Sequence, residues 1–95
     1  METVVRNYRS SPGLADELVK RSGEVEELIS GVPGFVAYYL VKTATGMTTI
    51  SVFEDAAGAE ESTKRAAAFV KENVAAIAGE PPEVIEGETV IHFAR

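Results

Sequence analysis

Two adjacent stretches constrain this chain more than any other part of it: Phe35-Val36-Ala37-Tyr38-Tyr39-Leu40-Val41-Lys42 and Met47-Thr48-Thr49-Ile50-Ser51-Val52-Phe53-Glu54. Both are rich in β-branched and aromatic residues, which suit a pleated, packed strand. Thr43-Ala44-Thr45-Gly46 between them is a short turn with a glycine free to take positive φ, so the pair reads as a hairpin. With Lys42 opposite Met47, one face carries Phe35, Ala37, Tyr39, Val41, Ile50 and Val52. The other carries Val36, Tyr38, Leu40, Thr49, Ser51 and Phe53. An antiparallel sheet with one wet face alternates apolar and polar residues; neither face does so here. A chain of 95 residues forms a single modest core and has material to cover only one sheet face with helices. The second face would expose more apolar surface than soluble monomers tolerate. The pattern therefore predicts a homodimer whose sheets pack face to face, with some space left between them.

The rest of the chain supplies elements on either side. Thr3 to Arg9 reads as a first strand, and Ser11-Pro12 as an N-cap followed by proline at the first helical position. Leu14, Leu18, Val25, Leu28 and Ile29 recur at helical spacing through Ser30. Gly23 invites a bend in that helix, Gly31 reads as its left-handed C′ residue, and Pro33 stops it. Asp55 caps a second helix whose buried stripe is Ser62, Ala66, Phe69, Val70, Asn73, Val74 and Ile77, with Gly79 ending it. Pro81-Pro82 enters a last strand, about Val84 to Phe93, with Gly87 as a bulge or bend. The order β-α-β-β-α-β is the ferredoxin-like arrangement: an α+β fold with a four-stranded antiparallel sheet and two helices on one face, as one domain over residues 1–95.

Composition excludes several chemistries. With no cysteine there are no thiolate nucleophiles, iron–sulfur ligands or zinc–cysteine sites, and one histidine rules out a multi-histidine metal centre within the chain. A net charge of −6 disfavours nucleic acid and anionic membrane as partners. The N-terminus lacks a basic and apolar leader, and no run reaches the roughly 18 apolar residues of a membrane span, so a cytoplasmic location is expected. There is no P-loop or dinucleotide fingerprint. The acidic clusters Glu24-Glu26-Glu27, Glu60-Glu61 and Glu83-Glu86-Glu88 lack calcium-loop spacing. No metal and no cofactor is expected.

Val32-Pro33-Gly34-Phe35 entering the second strand, Tyr38-Tyr39-Leu40 within it, Ser51-Val52-Phe53-Glu54-Asp55 running into Ala57-Gly58-Ala59-Glu60-Glu61-Ser62, and Ala67-Ala68-Phe69-Val70 give the chain a further likeness. Over nearly its whole length it resembles the antibiotic biosynthesis monooxygenase-like family of dimeric α/β barrels. The resemblance implies a pocket between sheet and helices for a polycyclic phenol, oxidised by oxygen without metal or flavin. A haem-degrading branch shares the asparagine on strand one, here Asn7, but also needs an indole and an axial histidine on the second helix. This chain has no tryptophan, and the matching part of its helix reads Ala66, Ala67, Ala68 and Phe69, which argues against that branch.

Few residues stand out as site candidates. His92, in Val90-Ile91-His92-Phe93, is a candidate general base near neutral pH or else a strand-end histidine held by backbone or partner contacts. Asn7 in mid-strand is expected to hydrogen-bond something specific, whether ligand, water or dimer partner. Tyr38 and Tyr39 point to opposite faces, so one lines the helix side and the other the space between sheets. Asn7 and His92 are thus the candidate catalytic residues, and Tyr38, Tyr39, Ser51 and Phe69 the candidate ligand-binding residues. Two functions fit: a cofactor-independent monooxygenase acting on a small aromatic substrate, or a non-catalytic homodimeric module that binds a small apolar metabolite or serves only in assembly.

Overall fold

In a computed structural model, which describes residues 1–9 and 13–95, the chain runs β1 (Glu2–Tyr8), α1 (Leu14–Lys20), α2 (Ser22–Ser30), β2 (Phe35–Lys42), β3 (Met47–Phe53), α3 (Ala56–Asn73), α4 (Ala75–Ala78) and β4 (Glu83–Glu88). The four strands form one antiparallel sheet in the order β2-β3-β1-β4, with the helices on one face, as the ferredoxin-like order requires. The expected cap at Ser11-Pro12 lies outside the described residues.

The hairpin keeps the expected register: Lys42 faces Met47, Tyr38 faces Ser51 and Tyr39 faces Ile50. Its one irregularity is a bulge between Phe35 and Ala37, which sets Phe35 opposite Phe53. An extra residue in one strand shifts the alternation on its two sides by one face. Phe35 therefore belongs with the helix side, where its ring meets that of Phe53 edge-on at 6.1 Å and 68°, and Val36 is left exposed. This corrects the simple alternation for those two positions. Gly87, expected to bulge, pairs with Thr3 in an unbroken ladder.

The first helix breaks at Arg21 (φ −106°, ψ 27°), two residues before the anticipated bend at Gly23. The Arg21 amide is shared between the carbonyls of Glu17 at 3.2 Å and Leu18 at 3.1 Å, which turns the axis. Gly31 is right-handed (φ −75°) rather than left-handed. Glycine is needed there for room, since a Cβ would lie 2.9 Å from the Glu27 carbonyl. The cap of α3 is as expected, with Asp55 Oδ1 accepting from the Gly58 amide at 3.0 Å. The stripe of that helix is shorter than expected. Val74 (φ −136°) interrupts it, so Ile77 is exposed, and Asn73 turns back to donate to the Phe69 carbonyl.

Two apolar clusters hold helices to sheet. Tyr8, Leu14, Leu18, Val25, Met47 and Val74 make one, while Val4, Ile29, Val32, Phe53 and Ala59 make the other. The opposite face carries Val5 and Asn7 from β1, Ala37, Tyr39 and Val41 from β2, Ile50 and Val52 from β3, and Ile85 from β4. Among the described residues no helix packs on it, and its exposure is uneven: Tyr39 is 56% and Ile85 60% exposed, while Val52 is 7%. The last strand stops at Glu88, short of the expected Phe93. Beyond a final bond from the Thr89 amide to the Met1 carbonyl, residues 90–95 lie outside the sheet, and Phe93 is 88% exposed.

Candidate functional site

Alternate residues of β1, namely Val4, Arg6 and Tyr8, point toward the helices. Between two apolar neighbours this places a guanidinium in the core, only 2% exposed. Arg6 Nη2 donates to Ser62 Oγ at 2.9 Å and Thr63 Oγ1 at 2.8 Å, and Nη1 to Ser51 Oγ at 3.4 Å. The two α3 hydroxyls spend their own hydrogens on the Ala59 carbonyl, at 2.7 and 3.2 Å, which leaves their lone pairs for the cation. Among the described residues no carboxylate lies within 4.0 Å of Arg6. Its Nε has no protein partner among the described residues. Burial pulls the Arg6 pKa below its ordinary value, against the opposing pull of Tyr8, Tyr38 and Glu86. A guanidinium still keeps its proton in a protein, so Arg6 is a buried positive charge held by hydroxyls and neutralised by no adjacent acid.

That charge borders an apolar cleft of about 480 Å³, within the size range of small-molecule sites. Tyr8 and Val84 form its sheet side, and Thr63, Ala66 and Val70 its α3 side. Alanine at 66 and 67 gives the cleft width that larger side chains would fill. Lys71, Glu80 and Pro81 also border it. Arg6, Tyr8, Ala66 and Val70 also line a void of about 30 Å³ deeper in, together with Tyr38, Thr49 and Phe69. On its far side, Tyr38, Leu18, Val25 and Ile29 border a second cavity of about 410 Å³ between the first two helices and β2.

The structure separates the expected site residues into two sets. Tyr38, Ser51 and Phe69 gather on the helix side around Arg6: Ser51 bonds it, and the other two line the void with it. Asn7, Tyr39 and His92 lie elsewhere. Asn7 is on the uncovered sheet face, its Oδ1 accepting from Thr48 Oγ1 at 3.3 Å, and Tyr39 shares that face. His92 is exposed on the segment past β4 and not on a strand. Neither Asn7 nor His92 borders any of these cavities, because β1 presents Arg6 inward and Asn7, one residue on, outward. Arg6 was the residue missed. The signal for it was available, since it sits in phase with Val4 and Tyr8 and out of phase with Asn7.

Burial pushes the Tyr38 phenol up to about 12 and raises Tyr8 as well, each against the pull of Arg6. Both phenols are therefore neutral donors at physiological pH. In the unfolded chain they ionise near 10.0. A group whose folded pKa is raised gives stability that is complete below the unfolded value and is lost as pH climbs through the folded one. Urea midpoints should therefore hold up to pH 10 and fall steadily toward pH 12, and Tyr38→Phe should flatten that fall. An unchanged slope in Tyr38→Phe would contradict the assignment.

The sequence profile of the antibiotic biosynthesis monooxygenase family matches residues 1–76. No curated protein matches the chain. Solved structures share the fold at low identity. A Nitrosomonas europaea protein of unknown function is 22% identical, with a TM-score of 0.73 over 99% of this chain and 92% of its own. The Streptomyces coelicolor monooxygenase ActVA-Orf6, in complex with Nanaomycin D, is 19% identical, with a TM-score of 0.68 over 99% and 90%. The Mycobacterium tuberculosis haem degrader MhuD, with two haems in its active site, is 17% identical, with a TM-score of 0.70 over 99% and 100%. Haem does not fit the residues present here. The α3 side of the cleft offers Thr63, Ala66, Ala67 and Val70, none of which is an axial ligand, and the sole histidine is on the exposed terminal segment. Among the described residues no three His, Asp or Glu side chains group to hold a metal, and no helix is long and apolar enough to cross a membrane. With its profile match over most of the chain and a fold shared with these proteins, the chain belongs to the antibiotic biosynthesis monooxygenase family.

Proposed function

We propose that this protein is a cofactor-independent monooxygenase acting on a small aromatic or polycyclic substrate with an ionisable hydroxyl, and that it works as a homodimer. The observation that carries the first half is Arg6, a buried cation with no acid beside it, bordering an apolar cleft. Such a charge stabilises an oxyanion and lowers the pKa of a hydroxyl brought against it. The substrate then sheds its proton to solvent as it binds, and a general base at Asn7 or His92 is not required. The bound anion is electron-rich enough to pass an electron to dioxygen, after which the two radicals combine at a ring carbon and water is lost. A phenol and dioxygen become a quinone and water. One oxygen atom enters the ring, the other leaves as water, and every electron comes from the substrate. Apolar walls keep bulk water from quenching the intermediates. The Streptomyces coelicolor monooxygenase, whose structure holds Nanaomycin D, supports the reading by its fold.

Assembly rests on a different observation. Tyr39, Val41 and Ile85 are exposed on the uncovered sheet face, and Val90, Ile91 and Phe93 are exposed on the terminal segment. A second copy set sheet to sheet would bury both, with Asn7 in the interface.

Two measurements test these readings. Oxygen uptake should appear with at least one member of a panel of hydroxynaphthoquinones and anthrones, and Arg6→Met should slow it about 100-fold, the usual loss for one oxyanion donor. Binding without uptake across the panel would favour the non-catalytic module instead. In sedimentation the protein should run as a dimer and Ile85→Asp as a monomer; a wild-type monomer at micromolar concentration would remove the assembly claim.

A further inference from the structure

The void of about 30 Å³ beside the cleft is lined by Arg6 and Thr49, and among the described residues these two carry the buried side-chain atoms that lack a protein partner, Nε and Oγ1. Arg6 and Thr49 are directly opposed across the β1–β3 ladder and both point to the helix side. Opposed residues hold their Cβ atoms about 4.5–5.5 Å apart, so both side chains start from the same floor. An unpaired buried N–H and an unpaired buried hydroxyl in one small space are costly together. A water needs roughly 10–15 Å³ of such volume and two to four polar partners, and this space exceeds the first requirement. Arg6 Nε–H supplies a donor and Thr49 Oγ1 an acceptor, and Tyr8 and Tyr38 line the same void.

We propose that this void is a binding site for a single ordered water, which accepts from Arg6 Nε–H and donates to Thr49 Oγ1. With it in place, four of the five guanidinium donors are engaged, three by Ser51, Ser62 and Thr63 and one by water. One N–H on Nη1 is then left for an anion in the cleft. That last consequence rests on the oxyanion reading above; the water site itself does not. Thr49 is accordingly a positioning residue. It contacts the water and fixes the plane of Arg6, and does not touch the ligand.

The test needs no substrate, so its failure is distinguishable from failure of the proposed activity. In NMR of the protein labelled at arginine, Arg6 Nε–H should show cross-relaxation with a long-lived water. Thr49→Val should abolish that signal and lower the thermal midpoint by about 5 °C, the shift that loss of one buried hydrogen bond gives in a domain of this size. Thr49→Ser, which keeps the hydroxyl, should retain the signal. If the void is dry, the valine merely removes an unpaired hydroxyl and the midpoint rises. A wild-type protein without the cross-relaxation, or a Thr49→Val midpoint that stays level or rises, would overturn the proposal.

Discussion

A positive charge in the core, held among the described residues by hydroxyls, is the condition on which the rest of this structure depends. Burying an ion costs several kcal/mol even after relaxation, and proteins usually meet that cost with an opposite charge. Here Ser51 from β3 and Ser62 and Thr63 from α3 converge on Arg6 instead. The choice of partner has a consequence. A carboxylate would neutralise the guanidinium and close it to further anions, whereas hydroxyls solvate it and leave its charge intact. The same bonds tie α3 across β1 and β3, so the element that forms one wall of the cleft is positioned by the group the cleft presents to a ligand.

The sheet carries a second tension, between what the helices cover and what they leave. Phe35 reaches the helix side only because a bulge rotates it there, where it joins Phe53. The residues past the bulge keep their alternation and put Tyr39 and Val41 on the other face with Ile85. A small chain thus sets one buried cation and its hydroxyl partners within an otherwise apolar core and leaves apolar side chains exposed on its open face. The proposed activity in the protomer's interior and the proposed assembly through its open face would use different sides of the same strands. Neighbours along one strand, such as Arg6 and Asn7, lie on opposite faces of the sheet.

Much of this was legible in the residues. Hairpin register followed from a four-residue turn, and the helix cores from spacing, because period and turn chemistry are local properties. The missed features are those decided by tertiary contact. Nothing local marks Val36 as the bulge, nor shows that the first helix breaks at Arg21 rather than near Gly23. The last strand ends at Glu88, opposite Glu2 at the start of β1, a pairing between distant segments that the apolar run Val90-Ile91 hides. Residue type misled most at the site. Histidine and asparagine attracted attention as chemical groups, yet phase along β1 decides which side chain reaches the cavity, and phase selects Arg6.

The central claim is that Arg6 makes the cleft selective for an oxyanion, and the affinities of one ligand pair test it most directly. A hydroxynaphthoquinone ionised at neutral pH and its uncharged methyl ether share shape and ring system and differ in the charge offered to Arg6. One charge-assisted hydrogen bond, about 1.5–3 kcal/mol, corresponds to roughly 10- to 100-fold in affinity. Calorimetric titration should find the anion bound more tightly than the ether by that factor, with the gap closing in Arg6→Met. Equal affinity of the two ligands for the unmodified protein would contradict the account.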